Sequence, residues 1–344
     1  IGGNIAENSG GIHCLKYGLT VQNVAAMKVL TIDGELLELG TAALDAPGYD
    51  LTALMTGSEG LLGIVVEATL RLLPQPEATR VLLAAFDSIA VAGAAVGAII
   101  SAGIVPAGLE LMDHLAIRAT EEYTACGYPR DAAAIVLCEL DGNDAELEAR
   151  VQELRALLSA HGATRIDVAT DLEERRRLWA GRKAAFPAMG RISPDYYCMD
   201  GTIPRRRLPD VLERIGAWSE EYNLPVANVF HAGDGNLHPL ILYDANQPGA
   251  LARAEEFGGR ILELCIDVGG TITGEHGVGI EKLDQMCTQF TTDELTQFLL
   301  VKDAFDPRRL LNPGKAIPSL HRCAELGRMH VHNGRLAFPE IERF

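Results

Sequence analysis

Two histidines and a glutamate in this sequence are spaced so that they could bind a metal ion. His231 and His238 lie at the two ends of the segment HAGDGNLH, and Glu275 lies in the segment GEHG at positions 274–277. Imidazole nitrogens and a carboxylate oxygen are usual ligands of a catalytic divalent metal, which keeps a further position open for substrate. We predict that His276, beside the third ligand, acts as a general base near neutral pH.

A turn between the two histidines would bring them together. The histidines are an odd number of residues apart, so on one continuous strand they would face opposite sides of the sheet. Asp234-Gly235 is a favoured dipeptide for a two-residue type I′ hairpin turn, and a turn centred there pairs His231 with His238. Directly opposed residues have Cβ atoms about 4.5–5.5 Å apart. The spacing therefore predicts that both imidazoles can share one ion.

Two other interpretations suit the same residues. The histidines could be hydrogen-bonded core residues, with the glycines serving only to make turns. Two histidines and a glutamate could also activate water in a metal hydrolase. A buried glutamate without a cation partner is costly, so the GEHG segment favours a metal site over the core interpretation.

The composition favours a globular enzyme and excludes some partners. The chain has 344 residues, a net charge of −17 and 48% hydrophobic residues. This charge argues against nucleic acid or an anionic membrane surface as a partner, and the longest uncharged apolar run, Ile89–Ile100, is too short for a transmembrane segment. Seven cysteines without a C-x-x-C pair indicate a reduced, cytoplasmic protein without its own iron–sulfur cluster.

Hydrophobic patterns predict an α+β fold. The first 73 residues carry short strand patterns with a hairpin turn at Asp33-Gly34, and Pro74-Gln75-Pro76 marks a boundary. Beyond it, apolar strands alternate with helices, of which the clearest spans Asp144–Ala160 with Asn143 as its N-cap. Strands separated by helices, with hairpins among them, indicate a sheet covered by helices. Further helices are predicted over 172–188, 208–221, 250–267 and 292–304.

Three further clusters could contact a ligand. Ile1–Gly11 and Gly57–Ile64 are glycine-rich, which lets a backbone approach a phosphate or a heterocycle closely, although such loops are more often simple turns. Arg182 could hold a carboxylate through two parallel hydrogen bonds, although most helical arginines are solvated. The segment Phe305–Lys315 contains two prolines and is equally well explained as a helix end and turn.

Several motifs of the chain resemble those of one enzyme family. The segments GGNIAENSGG, GSEGLLGI, NVFHAGDGNLHP, GEHGVG and FDPRRLLNPGK are similar to motifs of the FAD-linked oxidases of the vanillyl-alcohol oxidase (PCMH) type. The similarity is to the D-2-hydroxyacid dehydrogenase branch. Through GRISPDYYCMDGTIPRR and the C-terminal tail CAELGRMHVHNGRLAFPEIERF, it extends to the FAD-binding subunits of bacterial glycolate oxidases, over essentially the whole chain.

This resemblance implies an order of domains. Residues 1–75 would form the second half of an FAD-binding domain, residues 76–300 a substrate or cap domain with the metal site and an antiparallel sheet covered by helices, and residues 301–344 a segment that returns to the FAD domain. It also implies a further N-terminal segment of roughly 100–200 residues, which supplies the pyrophosphate loop. We therefore expect these 344 residues alone to bind FAD weakly or not at all and to expose apolar surface.

The resemblance also implies a set of site residues. His276 would take the hydroxyl proton of a 2-hydroxyacid, Arg182 would clamp its carboxylate, and a divalent metal (Zn, Mn or Fe) on His231, His238 and Glu275 would orient it while a hydride passes to the flavin. The residues expected beside FAD are Gly2, Gly3, Asn4, Asn8, Gly10, Gly11, Glu59, Gly63, Ile64 and Asn312.

The implied reaction is the oxidation of glycolate to glyoxylate. D-Lactate and D-2-hydroxyglutarate are rival substrates, and Leu240, two residues after His238, offers no polar group for a second carboxylate, which favours a short monoacid. Electrons would leave through a second flavin subunit and an iron–sulfur subunit, which could hold the protein at the inner face of the membrane. A non-catalytic fragment that a partner completes is the alternative.

Overall fold

The structure is a computed structural model that describes residues 1–43, 48–169 and 171–319. The C-terminal tail that resembles glycolate oxidase subunits lies outside these residues. The helices are α1 (Gly2–Glu7), α2 (Cys14–Tyr17), α3 (Thr20–Asn23), α4 (Leu51–Met55), α5 (Ile89–Ser101), α6 (His114–Thr124), α7 (Asp144–Ala160), α8 (Leu172–Met189), α9 (Leu208–Tyr222), α10 (Ala250–Asp267), α11 (Leu283–Gln289) and α12 (Thr292–Phe305). The strands are β1 (Val24–Leu30), β2 (Leu36–Gly40), β3 (Ile64–Leu70), β4 (Ala78–Phe86), β5 (Gly108–Asp113), β6 (Ala134–Gly142), β7 (Arg165–Ala169), β8 (Asp195–Cys198), β9 (Gly201–Thr202), β10 (Val226–Phe230), β11 (Asn236–Leu237) and β12 (Pro239–Tyr243).

The chain forms two compact units. Unit 1 comprises Ile1–Ser9, Thr20–Arg71 and His276–Phe344, and unit 2 comprises Gly10–Leu19 and Leu72–Glu275. The break after Arg71 lies close to the Pro74-Gln75-Pro76 segment, whereas the second break lies at residue 276 and not at residue 300. The assignment of these parts to an FAD domain and a cap domain stays a prediction.

Unit 1 is built on a small antiparallel sheet in the order β2-β1-β3. The predicted hairpin at Asp33-Gly34 is confirmed, because β1 and β2 pair from Leu30 with Leu36 onward. Apolar side chains are exposed on β3: Ile64, Val66 and Leu70 are 53%, 55% and 38% exposed. The buried core of this unit is formed by Ile5, Val24, Met27, Val29, Leu39, Met55, Leu61, Leu62 and Ala316.

Unit 2 is built on an antiparallel sheet in the order β7-β4-β6-β5-β10-β12-β8, as far as the described residues show. Strand β4 contains the apolar run VLLAAF at residues 81–86, in which every side chain is buried. Because alternate residues of a strand face opposite sides, helices must cover both faces of the sheet. Val81, Leu83 and Ala85 pack with α6 and α8, while α5 and α7 also contact β4. The predicted α+β fold with a helix-covered antiparallel sheet is confirmed.

The predicted helices occur within one or two residues of their expected bounds. Helix α7 spans the predicted Asp144–Ala160, and the Asn143 side chain accepts the Ala145 N–H over 3.0 Å. Its buried residues include Leu147 and Leu154, which lie at helical spacing on the side facing the sheet. The N-cap residue and the spacing of the apolar residues indicate the same helix bounds, so the local sequence is enough to predict this helix.

Two helical glycines of unit 2 are expected to respond in opposite ways to alanine. A Cβ at Gly216 of α9 would meet no heavy atom within 4 Å, whereas a Cβ at Gly258 of α10 would lie 2.7 Å from Met199 Sδ. We expect Gly216→Ala to raise the free energy of unfolding by about 0.5–1 kcal/mol, because alanine suits a helix better. Gly258→Ala should lower it by about 1–3 kcal/mol through overpacking. Urea unfolding measures both, and equal stabilities would contradict the packing of α10.

Candidate active site

The large sheet of unit 2 brings three polar side chains to one face. Glu110 lies in β5, His231 directly follows β10 and His238 directly precedes β12. Strands β5 and β10 pair Met112 with Val229, and continuing this register by two residues places Glu110 opposite His231. Met112 and Val229 belong to the core beside α6 and α8. The alternation of side chains therefore points Glu110 and His231 to the same side.

The predicted pairing of the two histidines was wrong by two residues. His231 pairs with Asn236, and the His231 N–H donates to the Asn236 carbonyl over 3.0 Å. The reason is a wider turn, in which the Asp234 carboxylate accepts the Asn236 N–H over 3.0 Å. Gly235 is in the left-handed region at φ 86°, so the dipeptide makes a turn, but inside a longer loop.

A register shift of two residues keeps both imidazoles on one face of the sheet. His238 lies opposite Val229, whose N–H donates to the His238 carbonyl over 3.4 Å, so the two histidines are diagonal neighbours on adjacent strands. Their ring centroids are 5.1 Å apart. The convergence of His231 and His238 therefore holds although the predicted turn does not.

Glu275 completes a cluster of three possible metal ligands. Its Oε1 lies 2.7 Å from His238 Nε2 and 3.2 Å from His231 Nε2. Both histidines are buried, with 2% and 8% exposure. Donor atoms around one tetrahedral ion with bonds of about 2.0–2.2 Å are roughly 3.3–3.5 Å apart. Two imidazole nitrogens and a carboxylate oxygen are donor types that suit a divalent metal, and their binding of one ion stays a prediction.

The same three residues influence each other's charge. Burial raises the pKa of Glu275, but hydrogen bonds from His231 and His238 outweigh it and hold this pKa well below its usual range. Burial lowers the pKa of His231, but the Glu110 and Glu275 carboxylates outweigh it and raise this pKa to about 10. An imidazole must be neutral to bind a metal, so binding at this cluster would release a proton.

Asp200 holds the loop that carries Glu275. Its fully buried carboxylate accepts the Thr273 hydroxyl over 2.8 Å and the N–H groups of Gly274 and Glu275 over 3.1 Å. A Cβ on Gly274 would lie 2.2 Å from Asn236 Oδ1, so only glycine fits there. Asp200 lies in the segment GRISPDYYCMDGTIPRR, but only the fold shows that this aspartate positions the third ligand.

Arg182 pairs with a carboxylate inside unit 2. Its Nε and Nη2 atoms each lie 2.7 Å from Glu110 Oε2, and the two residues are 5% and 1% exposed. Burial raises the pKa of Glu110, but Arg182 and His231 hold it below its ordinary value. Nε and Nη2 of Arg182 thus contact a carboxylate of the protein itself. The role of Arg182 as a clamp on the substrate carboxylate stays a prediction. Sequence reasoning missed Glu110, although a lone glutamate in the apolar run of β5 was a usable signal.

His276 follows Glu275 directly and begins the last part of unit 1, with an exposed side chain. The loop after it is held by Glu59, whose carboxylate accepts the N–H groups of Val278 and Gly279 over 2.7 Å and 2.8 Å. Glu59 was expected to contact FAD. In the structure its carboxylate accepts hydrogen bonds from this loop backbone. The roles of His276 as a base and of Glu59 as an FAD contact stay predictions.

The loop at 57–60 collects other residues expected beside FAD. Asn312 Nδ2 donates to the Glu59 carbonyl over 2.7 Å, and a Cβ at Gly57 would lie 3.1 Å from the Asn8 side chain. Asn8, Glu59 and Asn312 are all in the left-handed region. Unit 1 therefore brings together three motifs that are far apart in sequence.

The remaining residues expected beside FAD are spread over both units. Gly2, Gly3 and Asn4 lie exposed in α1, Ile64 begins β3, and Gly63 packs against Val29. Gly10 and Gly11 belong to unit 2, where a Cβ on Gly10 would lie 3.2 Å from Glu275 Oε2. A Cβ on Gly2, Gly3 or Gly11 would meet nothing within 4 Å. Among the described residues, no neighbouring side chain covers these three glycines, and their contact with FAD stays a prediction.

Comparison with known families identifies the chain's relatives. Residues 75–316 match the model of the FAD linked oxidases, C-terminal domain, and residues 1–40 match an FAD binding domain. The chain belongs to the FAD linked oxidases. The predictions of an oxidoreductase and of FAD as its cofactor are thereby confirmed.

This FAD linked oxidase is similar to named proteins along its whole length. It is 64% identical to glycolate oxidase subunit GlcD of Escherichia coli K12 over 100% of this chain and 69% of that protein. It is 39% identical to glycolate oxidase subunit GlcD of Bacillus subtilis over 92% of this chain and 67% of that protein. Among solved structures, p-cresol methylhydroxylase with bound substrate gives a TM-score of 0.75 at 14% identity, over 92% of this chain and 69% of that one. The predicted PCMH-type fold is confirmed.

In the part of the chain that the structure describes, no helix combines the length and the apolar character needed to cross a bilayer.

Asp200→Asn is expected to loosen the loop that carries Glu275. Loss of charge-assisted hydrogen bonds of this kind costs about 1–3 kcal/mol, so amide hydrogen exchange at Gly274 and Glu275 should become about tenfold faster or more. Asp244→Asn is the matched control, because Asp244 accepts only local hydrogen bonds in an exposed turn. Unchanged exchange in the Asp200 variant would show that this carboxylate does not hold the loop.

Proposed function

We propose that this FAD linked oxidase oxidises glycolate to glyoxylate. The observation that carries the proposal is the 64% identity to a glycolate oxidase subunit over the whole chain. The convergence of His231, His238 and Glu275 supports it, because an α-hydroxyacid offers a hydroxyl and a carboxylate that a metal ion can hold together. Gly10, from a motif expected beside FAD, lies next to Glu275 in the same unit, which also supports it.

We propose a resident divalent metal, Zn, Mn or Fe, on His231, His238 and Glu275. When bound, such an ion orients the substrate and stabilises charge that develops on its hydroxyl oxygen. The protein's share is the placement of the ligands: the strand register sets the two imidazoles, and Asp200 sets the Glu275 loop.

The reaction removes a proton from the hydroxyl and a hydride from the adjacent carbon. FAD, when bound, would supply the acceptor for this hydride. His276 takes the proton, since its imidazole is exposed and suited to accept a proton near neutral pH. The FAD contacts proposed are the exposed glycines of α1, the loop at 57–60 with Asn8 and Asn312, and the bare Gly11 backbone.

Reduced flavin must be reoxidised by a partner. The two GlcD relatives are named as oxidase subunits, and this chain has no C-x-x-C pair for a cluster. We propose a second flavin subunit and an iron–sulfur subunit as the acceptors. The protein would then work in the cytoplasm, at the inner face of the membrane through those partners.

Leu240 does not select between the candidate substrates. This side chain is fully buried in the core of unit 2, so it cannot contact either end of a hydroxyacid. The preference for glycolate over D-lactate or D-2-hydroxyglutarate therefore depends on the similarity to glycolate oxidase subunits, and is tested directly by flavin reduction.

Anaerobic addition of glycolate to the protein with its complete FAD domain, loaded with FAD, should bleach the flavin absorbance. We expect glycolate to reduce the flavin at a higher kcat/KM than D-lactate or D-2-hydroxyglutarate, measured by stopped-flow absorbance. Faster reduction by one of the other two acids would move the assignment to that substrate. No reduction by any 2-hydroxyacid would exclude the dehydrogenase function and leave the non-catalytic fragment or metal hydrolase.

Two histidine variants should separate proton transfer from metal binding. His276→Ala removes the proposed base, so flavin reduction should slow by about 10²- to 10⁴-fold while the metal content is kept. His231→Ala should lose the metal as well as the activity. His161→Ala is the control, because His161 is exposed at the end of α7 and should change neither measurement. Equal and minor effects in both site variants would favour histidines that serve only the core.

A further inference from the structure

A buried carboxylate lies behind the proposed metal cluster, and the proposed reaction does not use it. Glu110 is 1% exposed, and both of its oxygens lie within hydrogen-bond distance of His231 Nδ1, at 2.8 Å and 2.9 Å. The other ring nitrogen, Nε2, faces Glu275. A histidine that binds a metal through Nε2 carries its proton on Nδ1, and this proton needs an acceptor in the protein.

The strand register makes this contact a fixed one. Glu110 pairs with Leu137 of β6, and the pairing of Leu111 with Phe230 at the end of β10, continued by one residue, puts Glu110 opposite His231. Side chains at directly opposed positions have Cβ atoms about 4.5–5.5 Å apart. A glutamate at this position therefore reaches the near nitrogen of the imidazole and leaves the far one for a ligand.

Arg182 supplies the counter-charge that lets this carboxylate stay buried and ionised. Its Nε and Nη2 lie 2.7 Å from Glu110 Oε2. Helix α8 comes close enough for this contact because the residue before Arg182 is a glycine: a Cβ on Gly181 would lie 2.6 Å from Cys126 Sγ and 2.7 Å from Tyr128 Oη. A buried carboxylate without such a partner is strongly unfavourable.

We propose that Glu110 is a positioning residue of the metal site and that Arg182 acts through it. Glu110 accepts the Nδ1–H of His231, which fixes the imidazole tautomer and aims Nε2 at the ion. A negative partner also makes the imidazole a stronger ligand. This inference rests on the proposed metal site, and it gives Arg182 a role other than the predicted clamp on the substrate carboxylate.

The test is the affinity for Zn²⁺ alone, measured by competition with a chromophoric chelator in the absence of substrate. Glu110→Gln keeps the size of the side chain and removes the charge, and we expect it to weaken Zn²⁺ binding by about 10- to 100-fold. Glu139→Gln is the matched control: Glu139 lies on the neighbouring strand β6 and accepts Trp179 Nε1–H of the same helix α8 over 2.6 Å. Its affinity for Zn²⁺ should equal that of the unchanged protein.

Arg182→Met separates the two roles of the arginine. If it acts through Glu110, Zn²⁺ affinity falls as it does in Glu110→Gln. A clamp on the substrate instead raises KM for glycolate and leaves Zn²⁺ affinity unchanged, and that result would overturn the role proposed for Arg182.

The unchanged protein provides a test that does not depend on the folding of any variant. In ¹⁵N NMR spectra of the Zn²⁺-loaded chain, His231 should show a protonated Nδ1 and a metal-bound Nε2. Metal binding through Nδ1, or equal Zn²⁺ affinity of a folded Glu110→Gln variant, would overturn the positioning role alone. Failure of the unchanged protein to bind any divalent metal would instead overturn the proposed metal site.

Discussion

The antiparallel register of β5, β10 and β12 is the constraint on which the rest of the candidate site depends. It places Glu110, His231 and His238 on one face of the sheet, within a core that α6 and α8 close. Because alternation repeats every two residues, a register error of one would send an imidazole to the opposite face. The buried strands on both sides leave no freedom for such a slip, since their apolar residues would then face the wrong helices.

Buried charge is the second constraint, and it follows from the first. The face that carries the two histidines also holds two carboxylates, Glu110 and Glu275, in surroundings where an isolated ion is strongly disfavoured. Each carboxylate is balanced: Glu110 by Arg182, and Glu275 by the imidazoles that it contacts. A divalent ion between the imidazoles and Glu275 would serve the same electrostatic purpose as the proton that His231 otherwise carries. The chemistry and the stability of this region therefore depend on the same pairs.

Two loops outside the strands are held in place by carboxylates that accept hydrogen bonds from backbone amides. Asp200 accepts the N–H groups around Glu275 in unit 2, and Glu59 accepts those of Val278 and Gly279 in unit 1. Both loops are glycine-rich, so their conformations are not chosen by side-chain sterics. In each loop the two oxygens of a carboxylate accept backbone N–H groups, and these hydrogen bonds restrain the loop conformation. Glu59 therefore has a structural role in unit 1, and its contact with FAD stays a prediction.

Much of the fold was determined by local sequence. The cap and apolar stripe of α7 and the Asp33-Gly34 hairpin each carry their own signal, and each occurs where it was predicted. The three possible metal ligands could also be named from residue type and spacing. The turn between them could not, because the Asp234 side chain makes a wider loop than the dipeptide alone favours.

Only the tertiary structure decided what stands behind those ligands. Glu110, Arg182 and His231 come from a strand, a helix and a strand end far apart in the chain, and no spacing rule connects them. Their contact results from the register of two strands and from the close approach of α8 at Gly181. The sequence by itself determined which side chains could bind a metal, whereas the packing of the sheet against its helices decided how one of them is oriented and charged. The physical reason is that residue type and spacing act locally, while burial and pairing depend on every element around them.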